Sequence, residues 1–395
     1  MNNFITKEDA AAGSPAYREN SAPADGEIPS AAASGSSPAP ARIGYLDAAR
    51  GLAILLIVFG HVLKDGTLRQ VVFSCNVPVF FLLAGQTYRF DPDFRRFALH
   101  RARRIVLPYF AVSLVSIALY RVLGQAAAGS LGVKTRSTTL LQDLFGMVYA
   151  NSRNGFMKWN LPLWFLPCLF TTILLADAAE RLLQEPTVRT RLILIFSFLA
   201  CGFLIRQFLP SLALPWCIEI ALYMASFYEC GILITEKGLM KRLLRFTRRT
   251  RQLNVFLFVA LLCGITIDIS LANGFAQVRN MDVGRSFWLL TLSSVTGGAA
   301  LLLLAVPLRK IQLLKRAGRG SLAILLFHKF PILFFQTICP GTKTLLKHGS
   351  SAGGILCALA VTAVTAALCL AVAVGLRVLW LRMPARTGRG TDPSL

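Results

Sequence analysis

Arg50 and His61 are the two residues whose types and spacing suit joint chemistry. They lie eleven residues apart in the apolar stretch DAARGLAILLIVFGHVL, residues 47–63. At about 100° per residue, eleven residues make roughly three turns plus 20°, so a helix puts both side chains on one face. A rise of about 1.5 Å per residue sets them roughly 16 Å apart along the axis. That face carries a permanent cation at one end and a titratable imidazole at the other. An imidazole, with its ordinary pKa of about 6.5, can take a proton from a hydroxyl or carry a group briefly as a nucleophile. Charged groups at membrane depth cost a few kcal/mol, so they usually face a cavity or a partner. A plainer alternative has Arg50 snorkelling and pairing with Asp47 at i,i+3, and His61 satisfied at the far interface.

Arg101 and Arg104 are the second candidate pair, in RRFALHRARRIVLPYF (95–110). At i,i+3 they share one side of a helix start, and two guanidinium groups held together suit phosphates bound bidentately. The alternative is a basic loop contacting anionic lipid, which needs no particular spacing. Six further ionisable residues fall at membrane depth: Arg206, Glu219, Glu229, Asp268, His328 and Lys329. Glu219 follows Trp216; its carboxylate could accept a hydrogen bond from an imidazole or a hydroxyl, or pair with Arg206. In NLPLWFLPCLF (160–170), Pro162, Trp164 and Pro167 form a rigid aromatic entry, although an aromatic belt explains Trp164 and Phe165 as well. In CNVPVFFLLAGQTY (75–88), Pro78 removes a backbone donor and Gly85 lets another backbone or a ligand come close.

These residues must be positioned by membrane helices. The chain has 395 residues, 55% of them hydrophobic, with a mean hydropathy of +0.58 and the apolar residues in long blocks. The pattern is that of an all-α, polytopic membrane protein. About ten spans are expected, at 46–63, 70–88, 105–123, 161–176, 192–208, 213–235, 254–272, 286–306, 320–338 and 354–380. The fourth is short, and the ninth contains Lys329 and Pro331. If the N-terminus is cytoplasmic, 28 of the 42 Lys and Arg fall inside, ten fall outside and four lie within spans. That alternation supports ten spans with both termini cytoplasmic, and puts Arg50 near the cytoplasmic face and His61 near the outer one.

The formal charge of +23 sits in loops between apolar segments, which argues against nucleic acid. The nine cysteines include no CxxC and no Cys/His cluster, so neither a disulfide framework nor a metal site is expected. Residues 1–42 are rich in Ala, Ser and Pro and are expected to be disordered, with no apolar core of a signal peptide. Residues 43–383 then form the membrane domain, and 384–395 a cytoplasmic tail.

Taken in order, the motifs resemble the acyltransferase type 3 family of integral-membrane proteins, which O-acylate sugars of surface polysaccharides. Arg50 and His61 are similar to its Arg-x10-His signature. FFLLAGQTY (80–88) resembles its second-helix motif, with Ala84 where Ser is usual. Arg101 to Arg104 resembles its RxxR motif. LPLWFLPCLF (161–170) resembles its WFL segment, closest to the bacterial fucose 4-O-acetylase-like branch. FHKFPIL (327–333) is similar to a histidine-containing late helix. The resemblance covers about residues 43–383.

It implies an O-acyltransferase, most often an O-acetyltransferase, using acyl-CoA such as acetyl-CoA and a glycan or lipid-linked sugar acceptor. The expected setting is a bacterial inner membrane, among membrane lipid and glycan-assembly proteins. Catalytic roles fall to His61, Arg50 and Glu219, and Arg101 with Arg104 would hold the coenzyme A phosphates. The competing class is a secondary transporter or flippase for a charged or lipid-linked sugar. Such folds usually carry internal repeats, and no second Arg-x10-His or WFL segment is present.

Overall fold

The computed structural model describes residues 44–131, 138–184, 186–337, 339–347 and 351–382. The segment 1–42 and the tail 384–395 lie outside the described residues. The fold is all-α. Its helices are α1 Gly44–Val62, α2 Thr67–Gly85, α3 Phe94–Leu131, α4 Leu140–Tyr149, α5 Phe165–Leu183, α6 Val188–Phe208, α7 Ile218–Glu236, α8 Leu239–Arg249 and α9 Gln252–Asn273. Then follow α10 Phe287–Leu308, α11 Gln312–Arg319, α12 Ser321–Phe327, α13 Lys329–Thr337, α14 Pro340–Lys347 and α15 Ala352–Arg382. Among the described residues, nine helices are long and apolar enough to cross a membrane.

The expected ninth span, 320–338, is the one that differs. It is divided into α12 and α13 at His328. Pro331 has no N–H to give the Phe327 carbonyl, so the ladder loses a bond there. The turn is held by flanking bonds, from His328 N to Ile324 O (2.9 Å) and from Ile332 N to His328 O (3.2 Å). At about 1.5 Å per residue neither piece alone approaches the roughly 30 Å of a hydrocarbon core. Two other spans are longer than expected. The third begins at Phe94, and the fourth runs from a 3-10 turn at Leu161–Trp164 to Leu183.

α1 lies at the centre of the bundle because it can be approached closely. Ala48, Ala49, Ala53 and Ile54 are fully buried. A Cβ at Gly318 on α11 would collide with the Asp47 carbonyl, so α11 lies directly on the first turn of α1. At Gly85 a Cβ would collide with the Tyr228 carbonyl, which fixes α2 against α7. Pro78 leaves the Ser74 carbonyl without its helical donor, and Ser294 Oγ of α10 supplies one at 2.7 Å.

The contacts sort the bundle into two ends. Asp47–Arg319 (3.1 Å), Arg181 to the Asp91 carbonyl (2.6 Å) and Thr235 to the Gln86 carbonyl (3.2 Å) gather at the Arg50 end. Lys329 to the Lys158 carbonyl (3.0 Å) and Gln336 to the Val62 carbonyl (3.0 Å) gather at the His61 end.

If α12 and α13 together make one crossing, reporters fused at Thr250 and at Lys347 will lie on opposite sides of the membrane. Alkaline phosphatase and fluorescent-protein fusions measure this. The same side for both would mean that the bent pair re-enters without crossing.

Candidate functional site

At the head of α1, Asp47 makes no ion pair with Arg50 among the described residues. Its ion pair is with Arg319 of α11, not with the residue one turn along. The plainer alternative, an Asp47–Arg50 pair, is therefore not what forms, and α11 is close enough to compete because of its contact at Gly318. Arg50 makes no ion pair among the described residues. Its Nη2 donates to Thr87 Oγ1 at 3.1 Å, and Thr87 Oγ1 donates to the Ala84 carbonyl at 2.9 Å. Arg50 is half-buried and lines a cavity of about 150 Å³ with Ile54, Ile57, Ala84, Phe165 and Leu325.

The steps Arg50, Ile54, Ile57 and His61 are four, three and four residues, so one stripe of α1 faces the same way. Along that stripe the first cavity shares Ile57, Phe165 and Leu325 with a smaller space of about 40 Å³. That space shares His61, Trp164 and Arg279 with a third, of about 260 Å³. The cation at one end and the imidazole at the other thus border a row of cavities with common walls.

His61 is partly exposed to the third cavity. Phe73 meets its ring edge-on at 5.7 Å between centroids, and His328 lies against it at 5.3 Å. His328 is fully buried. Its Nδ1 lies 2.9 Å from both the Ile324 and Leu325 carbonyls. Two carbonyls only accept, so Nδ1 carries the ring proton, and in the neutral ring Nε2 is the lone-pair nitrogen. That Nε2 is buried and has no protein partner. This ring stands at the break between α12 and α13.

The rest of the wall is aromatic and basic. Pro162, with φ already fixed, suits the second position of the short turn, which places Trp164 on the cavity. Asn160 anchors the turn, donating to Ser116 Oγ at 3.2 Å. Arg69, Arg279 and Lys329 also line the cavity.

Glu219 occupies a different place from the one expected. It is fully buried, and its carboxylate accepts from Asn151 Nδ2 (2.8 Å) and Leu214 N (3.0 Å). It does not line the cavities beside His61, and it forms no pair with Arg206. Glu219 instead holds the 151–153 loop, whose Ser152 carbonyl and hydroxyl accept from Arg279 at 3.4 and 3.3 Å. Its reach to the imidazoles is therefore indirect.

Arg101 and Arg104 stand about two turns into α3, at the Arg50 end. Arg101 lies over the Phe97 ring at 5.1 Å, and Arg104 is exposed. Neither lines the Arg50 cavity. Glu229, also noted at membrane depth, belongs to a separate buried cluster in which Arg191 pairs with it, Glu180 and Glu236.

The sequence pattern did not single out Arg69 and Arg279, which count there as ordinary cations of the loops. It marked His328 and Lys329 as ionisable residues in a weak span, and His328 as part of a segment similar to a histidine-containing late helix, without pairing it with His61. The usable signal was Pro331, since a proline three residues after a buried histidine breaks the helix beside it.

No curated protein and no solved structure matches the chain. Residues 43–375 do match the sequence model of the type 3 acyltransferase family, described as an acyltransferase domain. That match spans the helices carrying Arg50, His61 and His328, and the chain belongs to the acyltransferase type 3 family as a multi-pass membrane acyltransferase.

Proposed function

We propose that this acyltransferase is an O-acetyltransferase of a bacterial inner membrane, moving acetyl from acetyl-CoA on the cytoplasmic side to a hydroxyl of a surface polysaccharide or its lipid-linked precursor. The WFL-like segment at 161–170 favours the fucose 4-O-acetylase-like branch. One observation carries the reading: the row of cavities along the α1 stripe from Arg50 to the His61–His328 pair. Its length, roughly 16 Å between the two ends, suits the extended arm of an acyl-CoA entering from the Arg50 end.

The thioester supplies an activated acyl carbon and a sulfur leaving group. Arg50, cationic and without an ion pair, holds negative charge of the donor near the start of the path. Arg101 and Arg104 hold phosphates outside it. His61 takes the proton from the acceptor hydroxyl as that oxygen bonds to the acyl carbon, and the carbon–sulfur bond breaks. The sulfur leaves as thiolate and takes up a proton, so no redox partner is needed. His328 positions His61 by ring contact and offers Nε2 as a second proton acceptor. Glu219 is a positioning residue, acting through Asn151, Ser152 and Arg279.

Proteoliposomes holding the full chain and radiolabelled acetyl-CoA test the reading. Label should appear on an added glycan acceptor, with release of free coenzyme A. No acetyl-CoA-dependent transfer to any acceptor overturns it. The same assay tests the arginine pair. Changing Arg101 and Arg104 both to Lys keeps charge but loses the planar fork, and should raise the KM for acetyl-CoA about tenfold or more. Changing Arg95 and Arg96 to Lys should do little. Among the described residues Arg96 pairs with Asp91 at the surface, where solvent screens the interaction. Equal behaviour of the two double variants would reduce Arg101 and Arg104 to a basic loop.

A further inference from the structure

The 260 Å³ cavity at the His61 end is basic beyond what proton transfer needs. Arg69, Arg279 and Lys329 all line it, together with the two imidazoles. Among the described residues none of the three cations makes an ion pair. The Arg69 guanidinium lies over the rings of Phe73 and Phe275, 4.8 and 4.6 Å from their centroids, and its Nε is buried without a partner. The nearby acid, Asp65, is exposed on the α1–α2 connection. Lys329 Nζ donates to the Lys158 carbonyl at 3.0 Å. Arg279 reaches only neutral oxygens, those of Ser152 and Gln277, at 3.3–3.4 Å. Buried charges are normally paired, because a lone charge loses its hydration. Three cations converging on one half-open cavity without a carboxylate leave room for an anion that the protein does not supply. The fully buried His328 Nε2, also without a partner, marks the same space as a site for a ligand.

We infer that the acceptor is anionic: its acylated hydroxyl lies at His61 while a neighbouring carboxylate or phosphate is held by Arg69, Arg279 and Lys329. The inference rests on the acyl-transfer reading for the hydroxyl, and adds the charge of the molecule that carries it. Two sources share this chemistry, the carboxylate of an acidic sugar and the phosphate of a lipid-linked sugar. A neutral sugar would leave the three cations facing one another. Arg279 and Lys329 come from different segments, so a bound anion also ties the 274–286 connection to the start of α13.

Matched acceptors test this: a glucose-ended oligosaccharide, its glucuronic-acid-ended counterpart, and a polyprenyl-phosphate glucose. Each is offered to the full chain in nanodiscs with radiolabelled acetyl-CoA. Binding of each is also measured without the donor, so that turnover is not required. We expect one anionic acceptor to bind and react about tenfold or more better than the neutral one, the ratio expected for charge-assisted hydrogen bonds. Which of the two it is assigns the carboxylate or the phosphate. Arg279→Gln and Lys329→Gln should raise the KM for that acceptor and bring the ratio towards one, and Arg279→Lys should restore part of it. Loss of kcat in equal proportion for neutral and anionic acceptors would overturn the inference and make the cations stabilisers of the reacting oxygen. Equal binding of all three acceptors would overturn it too, with acyl transfer left standing. Anion-selective binding that is lost in Arg279→Gln, with no transfer to any acceptor, would support the anion site and overturn the acetyltransferase reading alone. If Arg279→Gln does not accumulate as a monodisperse protein, Lys329→Gln carries the comparison.

Discussion

If His61 is the general base of the proposed acetyl transfer, His61→Ala should lower that transfer at least about a hundredfold while leaving the protein inserted and folded. General-base catalysis by a positioned imidazole contributes roughly 10²–10⁴-fold, which sets the size of the loss. The fold should survive because the His61 ring makes no hydrogen bond to the protein among the described residues. Its neighbours, Phe73 and His328, are held by their own helices. The substitution also enlarges a cavity already of about 260 Å³, so added imidazole has space to enter. Partial rescue by millimolar imidazole would separate lost chemistry from lost structure. His328→Gln should give a smaller loss, because Gln cannot reproduce the fixed ring against His61 but leaves the base in place. The measurement is the initial rate of label transfer at equal amounts of monodisperse protein. A His61→Ala protein with near wild-type rate would return His61 to the role of a satisfied interfacial residue.

Local regularity explains which parts of this site could be read from sequence. The Arg50–His61 face follows from an unbroken helix and its period, and α1 is such a helix. Gly85 as a point of close approach also follows from residue type, and the structure has it; Pro162 and Trp164, read from sequence as an entry, line the cavities beside His61. What could not be read depends on partners far away in the chain. Asp47 finds Arg319, which is 272 residues distant, and this decides that Arg50 stays without an ion pair. Glu219 is captured by Asn151, 68 residues earlier, so a carboxylate that looked available to an imidazole holds a loop. His328 lies against His61 at the break between α12 and α13, and the same break divides a span that hydropathy alone reads as one. Arg69 and Arg279 sit in or beside short loops, where a charge count by sidedness treats every cation alike.

Ile57→Trp closes the path between the two ends and should cost at least about a hundredfold in kcat/KM for acetyl-CoA. Ile57 is shared by the Arg50 cavity and the 40 Å³ space, and with Phe165 and Leu325 it forms the wall common to both. All three are nearly buried, at 4%, 5% and 6% exposure, so that wall has little room for an added ring. Overpacking of this kind typically costs about 1–3 kcal/mol of stability, which a bundle of this size should tolerate. The loss should appear in the donor step alone, and acceptor binding measured in nanodiscs should persist because the 260 Å³ cavity lies beyond that wall. Ile57→Ala makes the opposite change. It widens the same passage, and should raise transfer of propionyl and butyryl relative to acetyl from the corresponding thioesters. The pair of variants therefore gives opposite signs if the acyl arm passes Ile57. Wild-type kinetics in Ile57→Trp would show that the donor reaches His61 by another route, and the stripe from Arg50 to His61 would then be wall, not path.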